Sequence, residues 1–234
     1  MEAEDFKNGQ VLLIDKPLHW TSFQVVNKLR WAIRKRFGIK KIKVGHAGTL
    51  DPLATGLLVI CTGKMTKTIG ELQAQSKEYT GTFRLGATTP SYDLETEIDR
   101  TWPLENITEA KIHEAAGQLT GTLEQAPPIF SAIKQDGVRL YEKARKGEEV
   151  EVRKRKVLVH SFEITRIDMP DVDFRISCSK GTYIRSLAHD FGKQLRSGAH
   201  LTQLRRTRSG KFDVEQAETI EGFLKRLEED SQGV

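Results

Sequence analysis

Segments with the hydrophobic spacing of strands and segments with that of helices follow one another along this chain in irregular order. This order restricts the possible folds more than any other feature of the sequence. Apolar residues recur at every second position in residues 79–85 and 172–178, which is the spacing of a half-buried strand. Helical spacing follows Thr21, Thr108 and Gly181 instead, and either threonine can cap a helix N-terminus. Because strands and helices do not alternate regularly, the sequence predicts an α+β fold with a largely antiparallel or mixed central sheet and flanking helices.

The chain is long enough to bury one substantial core. It has 234 residues, of which 38% are apolar, and it contains no internal repeat or low-complexity tract. We therefore predict one domain over residues 1–234. Residues 213–234 are acidic and are expected to form a C-terminal helix or tail.

Several classes of protein are excluded by simple counts. The apolar runs fall short of the roughly 20 residues that a membrane-spanning helix needs, and the acidic N-terminus is unlike a secretory signal. The two cysteines, Cys61 and Cys178, are far apart and lack the spacing of a structural zinc site. We expect a cytoplasmic protein with no membrane association and no metal.

The positive charge is concentrated in the body of the chain. The net charge is +5, but residues 213–234 hold seven acids and two bases, so the rest carries +10. Basic clusters lie at residues 28–43, with eight Lys and Arg and no acid, and at residues 153–156 and 205–211. Such clusters are typical of a surface that binds a polyanion, although solvated helices and hairpins explain them equally well.

Residues 45–56, here called the signature loop, are the densest group of special residues. Gly45, Gly48 and Gly56 surround Asp51, the only acid between Asp15 and Glu71. Glycines allow the backbone to bring a carboxylate close to a ligand. The same carboxylate could instead cap a helix whose first residue is proline, and the local sequence by itself favours that structural role.

Two nucleotide chemistries fit this segment poorly. Six residues separate Gly56 from Gly63-Lys64, where a phosphate-binding P-loop has four, and Met65 replaces its hydroxyl residue. A two-metal nuclease needs several clustered carboxylates, whereas Asp51 stands alone in this region. We reject the first and disfavour the second.

The signature loop and the motifs around it resemble the bacterial tRNA pseudouridine synthase B family, which modifies uridine 55 in the T arm of tRNA. The resemblance spans residues 9–212 and matches a short form of the family without a C-terminal RNA-binding domain. The remaining motifs are, in chain order, Leu12-Leu13-Ile14-Asp15-Lys16-Pro17, Lys77-Glu78-Tyr79, Arg84-Leu85-Gly86, Gln125, Pro127-Pro128, Ser131-Ala132, Lys134, Gly137, Tyr141, Ala144-Arg145, Ser179-Lys180-Gly181-Thr182-Tyr183-Ile184-Arg185, Gly198-Ala199-His200 and Leu204-Arg205-Arg206.

The resemblance implies the pseudouridine synthase fold and makes Asp51 the catalytic carboxylate. In the reaction the C1′–N1 bond breaks, the uracil rotates and C5 joins C1′. A carboxylate can attack C1′ or C6, or it can remove a ribose proton to give a glycal, and the sequence leaves all three routes open. The isomerisation is redox neutral, so we expect no cofactor.

The resemblance also implies a set of substrate-binding residues. Arg185 matches the arginine that pairs with the catalytic aspartate, and Tyr79 matches the tyrosine that stacks on uracil. Leu204 matches an apolar wall of the base pocket. Without the resemblance these residues would be interpreted as a surface arginine, a core aromatic and a core leucine.

Base flipping involves three further positions. By the same resemblance His46 fills or braces the space that the extruded base leaves. Lys16 is expected to support RNA or the signature loop, and Tyr183 to support the pocket. On local sequence a lone histidine such as His46 is more often an ordinary turn residue.

The expected partner is the T-arm stem-loop of tRNA, bound by a monomer that requires no protein partner. The stretch after Gly86 departs from the family by inserting Pro90 and Tyr92 and lacking a closing glycine. With no C-terminal RNA-binding domain expected, residues 28–43 and 153–156 are predicted to contribute affinity. An RNA-binding module without catalysis and a synthase acting on another RNA remain alternatives.

Overall fold

The computed structural model describes residues 2–131, 134–135, 138–139 and 152–229. The chain divides into two compact units. The first unit is built from both ends of the chain, up to Tyr79 and from Leu204 onward, and the second is Thr80–Gln203. Motif residues Ala132, Gly137, Tyr141, Ala144 and Arg145 lie outside the described residues.

Helices and strands are numbered in chain order within the described residues. The helices are α1 (Ala3–Asn8), α2 (Ser22–Phe37), α3 (Ile69–Ala74), α4 (Glu109–Gln118), α5 (Ile184–Gln194) and α6 (Ile220–Glu229). The strands are β1 (Val11–Lys16), β2 (Val44–His46), β3 (Ala54–Thr62), β4 (Lys77–Leu85), β5 (Ala87–Thr88), β6 (Arg100–Thr101), β7 (Gly121–Gln125), β8 (Lys134–Gln135), β9 (Val138–Arg139), β10 (Arg155–Asp168), β11 (Asp171–Cys178), β12 (Ala199–Ser209) and β13 (Phe212–Asp213). Two short 3-10 helices, Gly63–Thr68 and Val214–Gln216, complete the list.

The sheet of the first unit is mixed. Strand β1 runs antiparallel to β3, and their register pairs Lys16 with Gly56. On β3 the residues from Ala54 also pair in parallel with β12, where Leu204 is the partner of Ala54. Strand β3 is therefore bonded on both edges, which agrees with its nearly continuous burial.

Helix α2 forms where the sequence predicts it. The Thr21 hydroxyl accepts a hydrogen bond from the backbone N–H of Gln24, and the Gln24 side-chain oxygen accepts one from the Thr21 N–H, so a capping box starts the helix. Gly38 ends it in the left-handed conformation, with φ of 62°. The buried stripe packs with β1 and α6 in one core and consists of Val25, Val26, Leu29, Ala32 and Ile33.

The second unit is built on antiparallel pairs. Strand β10 pairs with β11 on one side and with β7 on the other. Its core is a cluster of aromatic rings, in which Phe83 lies 4.3 Å from Phe174 and 5.5 Å from Phe191, measured between ring centroids. The cluster joins β4, β11 and α5, so three segments distant in sequence are fixed by one set of ring contacts.

These observations confirm the predicted α+β class and mixed sheet. The helix predicted in the acidic C-terminal segment is α6, whose Ile220, Phe223 and Leu227 are buried in the core of the first unit. The single domain over residues 1–234 stays a prediction. Among the described helices, none is long and apolar enough to cross a membrane.

Candidate active site

Asp51 lies in a turn that leads into a strand, and it does not begin a helix. The Ala54 N–H donates to the Asp51 carbonyl at 3.0 Å, and β3 starts at Ala54. The helix-capping interpretation of Asp51-Pro52 is therefore wrong. The physical reason is long-range, because residues 54–62 gain strand partners on both sides that outweigh a local capping preference.

The backbone on either side of Asp51 is tied to α2 and to the turn that precedes it. The hydroxyl of Ser22, which is 2% exposed, accepts the Leu50 N–H at 2.8 Å and donates to the Leu50 carbonyl at 3.1 Å. The Pro52 carbonyl accepts the His19 N–H at 2.8 Å. Both neighbours of Asp51 are thus held in place, which fixes the position from which its side chain projects.

Arg206 braces the signature loop from inside. Its side chain is 2% exposed, and it donates from Nε to the Leu57 carbonyl at 2.7 Å and from a terminal nitrogen to the Gly48 carbonyl at 3.1 Å. A guanidinium can satisfy several orphan carbonyls at once, which suits a loop whose backbone makes few strand bonds. The sequence does not predict this role for Arg206, whose only signal is its place in the Leu204-Arg205-Arg206 motif.

Lys16 is fully buried beside the same loop. Its ammonium donates to the carbonyls of Pro17 at 2.9 Å and Trp20 at 2.6 Å, and its side chain has no exposed surface. Burial lowers the pKa of Lys16 to about 8, an effect that the Asp51 carboxylate opposes and the Arg206 guanidinium reinforces. Both hydrogen bonds go to the turn that follows β1, and the expected role of Lys16 in supporting RNA or the signature loop stays a prediction.

The buried ammonium should make stability depend on pH in a definite direction. Below about pH 8 both folded and unfolded chains hold the Lys16 proton, and between about pH 8 and its ordinary value near 10.4 only the unfolded chain does. The free energy of unfolding of the wild type should therefore rise relative to that of Lys16→Met across this window. Urea denaturation of both proteins from pH 7 to pH 10 measures it, and a difference independent of pH would contradict the assigned pKa.

The first unit brings further predicted residues to this region. His46 is half-buried. Burial and the Arg206 charge lower the pKa of His46, and a hydrogen bond with the Gly48 backbone partly opposes this effect by raising it. Leu204 is half-buried and pairs with Ala54, three residues beyond Asp51. Tyr79 is half-buried on β4, where its neighbour Glu78 accepts a hydrogen bond from Thr207 of β12 at 2.8 Å.

Arg185 belongs to the second unit and is not a surface arginine. It is 3% exposed, and one terminal nitrogen donates to the carbonyls of Phe130 at 2.9 Å and Ser91 at 3.3 Å. Its Nε lies 3.7 Å from the carboxylate of Asp93, which is 4% exposed. The sequence does not single out Asp93, although it belongs to the unusual stretch after Gly86. Pairing of Arg185 with Asp51 stays a prediction.

Tyr183 is also held within the second unit. The Gln125 side chain accepts the Tyr183 N–H at 2.8 Å and donates to its carbonyl at 3.1 Å, which fixes the residue that precedes α5. The Arg155 guanidinium lies 4.7 Å from the centroid of the Tyr183 ring. Arg155 comes from the basic cluster at residues 153–156, so at least one member of that cluster packs on the predicted pocket residue.

Among the described residues, no group of three or more His, Cys, Asp or Glu side chains could hold a metal ion. The cationic groups buried near the signature loop are the Lys16 ammonium and the Arg206 guanidinium, which suit carbonyls and anions.

Two models of known protein families together match nearly the whole chain. The N-terminal domain model of the TruB family of pseudouridylate synthases matches residues 34–184, and the C-terminal domain model of tRNA pseudouridylate synthase B matches residues 185–232. A tRNA pseudouridine synthase B from Flavobacterium johnsoniae is 64% identical over 97% of this chain and 100% of its own length. One from Phocaeicola vulgatus is 54% identical over 96% of each chain.

Solved structures show the same fold in longer chains. A chain from the crystal structure of a Cbf5-Nop10-Gar1 complex superposes with a TM-score of 0.74 at 31% identity. A chain from an H/ACA RNP bound to a substrate RNA containing 2′-deoxyuridine gives a TM-score of 0.70 at 29% identity. The present chain spans 59% and 56% of the lengths of those two chains.

Proposed function

Because this chain belongs to the TruB family of pseudouridylate synthases, we propose that it converts a uridine of tRNA to pseudouridine with Asp51 as the catalytic carboxylate. The target is uridine 55 of the T arm, as in the family that its motifs resemble. The observation that carries the proposal is the placement of Asp51. It is the one acid in a segment of 55 residues, from Lys16 to Gly70, and it sits on a turn anchored at both neighbours beside a buried ammonium.

The surrounding cations support this role for the carboxylate. Lys16 and Arg206 place positive charge in the first unit close to the signature loop, and both are buried where water screens little. The ionised carboxylate is the form that attacks an electrophilic carbon or removes a proton, and the positive charge of Lys16 attracts it. Neither cation is proposed to touch the substrate, so both are positioning residues.

The bonds and protons of the isomerisation are balanced by the substrate and the solvent alone. The C1′–N1 bond breaks, the C1′–C5 bond forms, and the proton on C5 is lost while N1 gains one. Asp51 can act at C1′, at C6 or as the base that removes a ribose proton, and the three routes share this balance. No electron acceptor or nucleotide energy is needed.

Recognition is proposed to require extrusion of the uridine from the RNA stack, at a cost of a few kcal/mol. His46 braces the vacated space, Tyr79 stacks on the uracil and Leu204 forms an apolar wall. Tyr183 supports the pocket, and Arg185 holds the catalytic carboxylate. We propose that the chain acts as a monomer on one cytoplasmic tRNA at a time, without a protein partner.

Release of tritium from uracil C5 tests the proposal directly. T-arm RNA labelled at C5 should lose label to water when the protein is present, because the C5 proton is lost on isomerisation. A transcript with cytidine at position 55 and label in its other uridines is the matched control and should lose none. If the labelled T arm keeps its tritium while still binding the protein, the chain is an RNA-binding module. If only another RNA loses label, the substrate is wrong.

A further inference from the structure

Helix α2 presents an exposed tryptophan between two lysines. Trp31 is 55% exposed, and the ammonium groups of Lys28 and Lys35 lie 5.6 Å and 5.0 Å from its ring centroid. The three residues stand at positions i−3, i and i+4, so they share one face of the helix. We call Lys28, Trp31 and Lys35 the α2 platform.

The positive charge around the platform is not neutralised by acids. Residues 16–70 contain eleven Lys and Arg against one acid, and α2 contains no acid. Its arginines bond to neutral groups instead: Arg30 to the Asn27 amide oxygen and the Val44 carbonyl, Arg34 to the Ile39 carbonyl and Arg36 to the Leu227 carbonyl.

Other helices of the first unit pair their exposed lysines with glutamate. Lys7 of α1 lies 3.5 Å from Glu4, and Lys225 of α6 lies 3.5 Å from Glu229. Within the part of the chain that the structure describes, no ion pair involves a cation of α2. The α2 face is therefore a distinct cationic surface with a flat aromatic ring at its centre.

The chemistry of this face selects its partner. A basic helix with tryptophan can also lie on a membrane, but it must then bury its apolar side in lipid. The apolar stripe of α2 is already buried, since Val25, Leu29 and Ile33 have no exposed surface, which leaves Phe23 and Trp31 as its large exposed apolar side chains. An aromatic ring flanked by two cations fits a stacked base between two phosphates, which is how proteins bind single-stranded nucleic acid.

We propose that the α2 platform binds the substrate RNA at a second place, away from the target uridine. Trp31 stacks on an unpaired base of the tRNA, and Lys28 and Lys35 contact the flanking phosphates. The helix is rigidly tied to the signature loop, because Ser22 at its start bonds to Leu50. Trp31 lies nine residues further, about 14 Å along the helix axis. The inference rests on the proposed function for the identity of the RNA.

Direct binding of unmodified tRNA separates the platform from the chemistry. The platform variants are Trp31→Ala and the double variant Lys28→Gln/Lys35→Gln, and the matched control is Lys7→Gln/Lys225→Gln, which removes the same charge elsewhere. Each platform variant should raise Kd about tenfold, as expected for loss of one stacked base or two phosphate contacts. Trp31→Phe should bind nearly as the wild type does, and the control should keep the wild-type Kd.

Salt dependence distinguishes the lysines from general charge loss. The plot of log Kd against log salt should be less steep by about 2 for Lys28→Gln/Lys35→Gln, because two phosphate contacts are lost, and unchanged for the control. A wild-type Kd in both platform variants would overturn the inference and would point to an acidic protein as the partner of this surface. An equal rise of Kd in the control variant would overturn it as well. Binding that depends on the platform without tritium release would uphold the surface and refute the proposed enzyme.

Discussion

Asp51→Asn should abolish tritium release while leaving tRNA binding intact. The amide can neither attack carbon nor accept a proton as a carboxylate does, so kcat should fall by about 10⁴-fold, the upper range for loss of a general base. The Kd for tRNA should be unchanged or lower, since a negative charge is removed from a surface that receives phosphates. Single-turnover tritium release with saturating enzyme measures the chemical step, and filter binding measures Kd.

The fold and the assay need their own controls for this variant. Asp168→Asn makes the same chemical change at an exposed ion pair with Arg166, where the aspartate side chain is 67% exposed, and it should keep wild-type activity. Thermal unfolding should show that both variants fold. If Asp51→Asn isomerises uridine within tenfold of the wild type, the carboxylate is not the catalytic group, and the whole assignment of the site fails.

Gly56→Ala should destabilise the protein by more than about 3 kcal/mol, a loss reserved for a few mechanisms such as backbone strain and overpacking. Gly56 has φ of 99°, which residues with a Cβ rarely adopt, and a Cβ there would lie 2.3 Å from the Arg206 carbonyl oxygen. Because that contact is with backbone, β3 and β12 would have to separate where they flank the signature loop. Urea denaturation and single-turnover activity should both report the damage.

A second glycine provides the matched control for that substitution. Gly117 lies in α4, and a Cβ built there meets no atom within 4 Å. Gly117→Ala should therefore stabilise the protein by about 0.5–1 kcal/mol, as is usual for glycine inside a helix. Equal unfolding free energies for Gly56→Ala and the wild type would show that Gly56 does not approach the Arg206 backbone as closely as described.

The sequence predicted those features that depend on neighbouring residues. Thr21 and Thr108 cap helices because their hydroxyls reach backbone N–H groups within the first turn. Alternation in residues 172–178 identified β11, because side-chain direction in a strand changes at each residue. The ordered motifs also identified the family, and with it Asp51 as the residue to test.

Long-range partners decided what the sequence left open. The local sequence of Asp51-Pro52 predicts the start of a helix. The residues that follow form a strand instead, because β1 and β12 bond to the two edges of β3. The local sequence likewise predicts a surface arginine at position 185. Arg185 is buried instead, against Asp93, Ser91 and Phe130, which lie far from it in sequence.

The sequence by itself thus determined the fold class, the capped helices and the single acid among many bases. Only the tertiary structure showed that Arg206 and Lys16 are buried beneath the signature loop and that Trp31 is exposed between two lysines. The reason is physical: periodicity and capping are set by residues within a few positions. The burial of a charged group depends instead on which carbonyls the fold brings to it, and Arg206 finds those of Gly48 and Leu57 about 150 residues away in the chain.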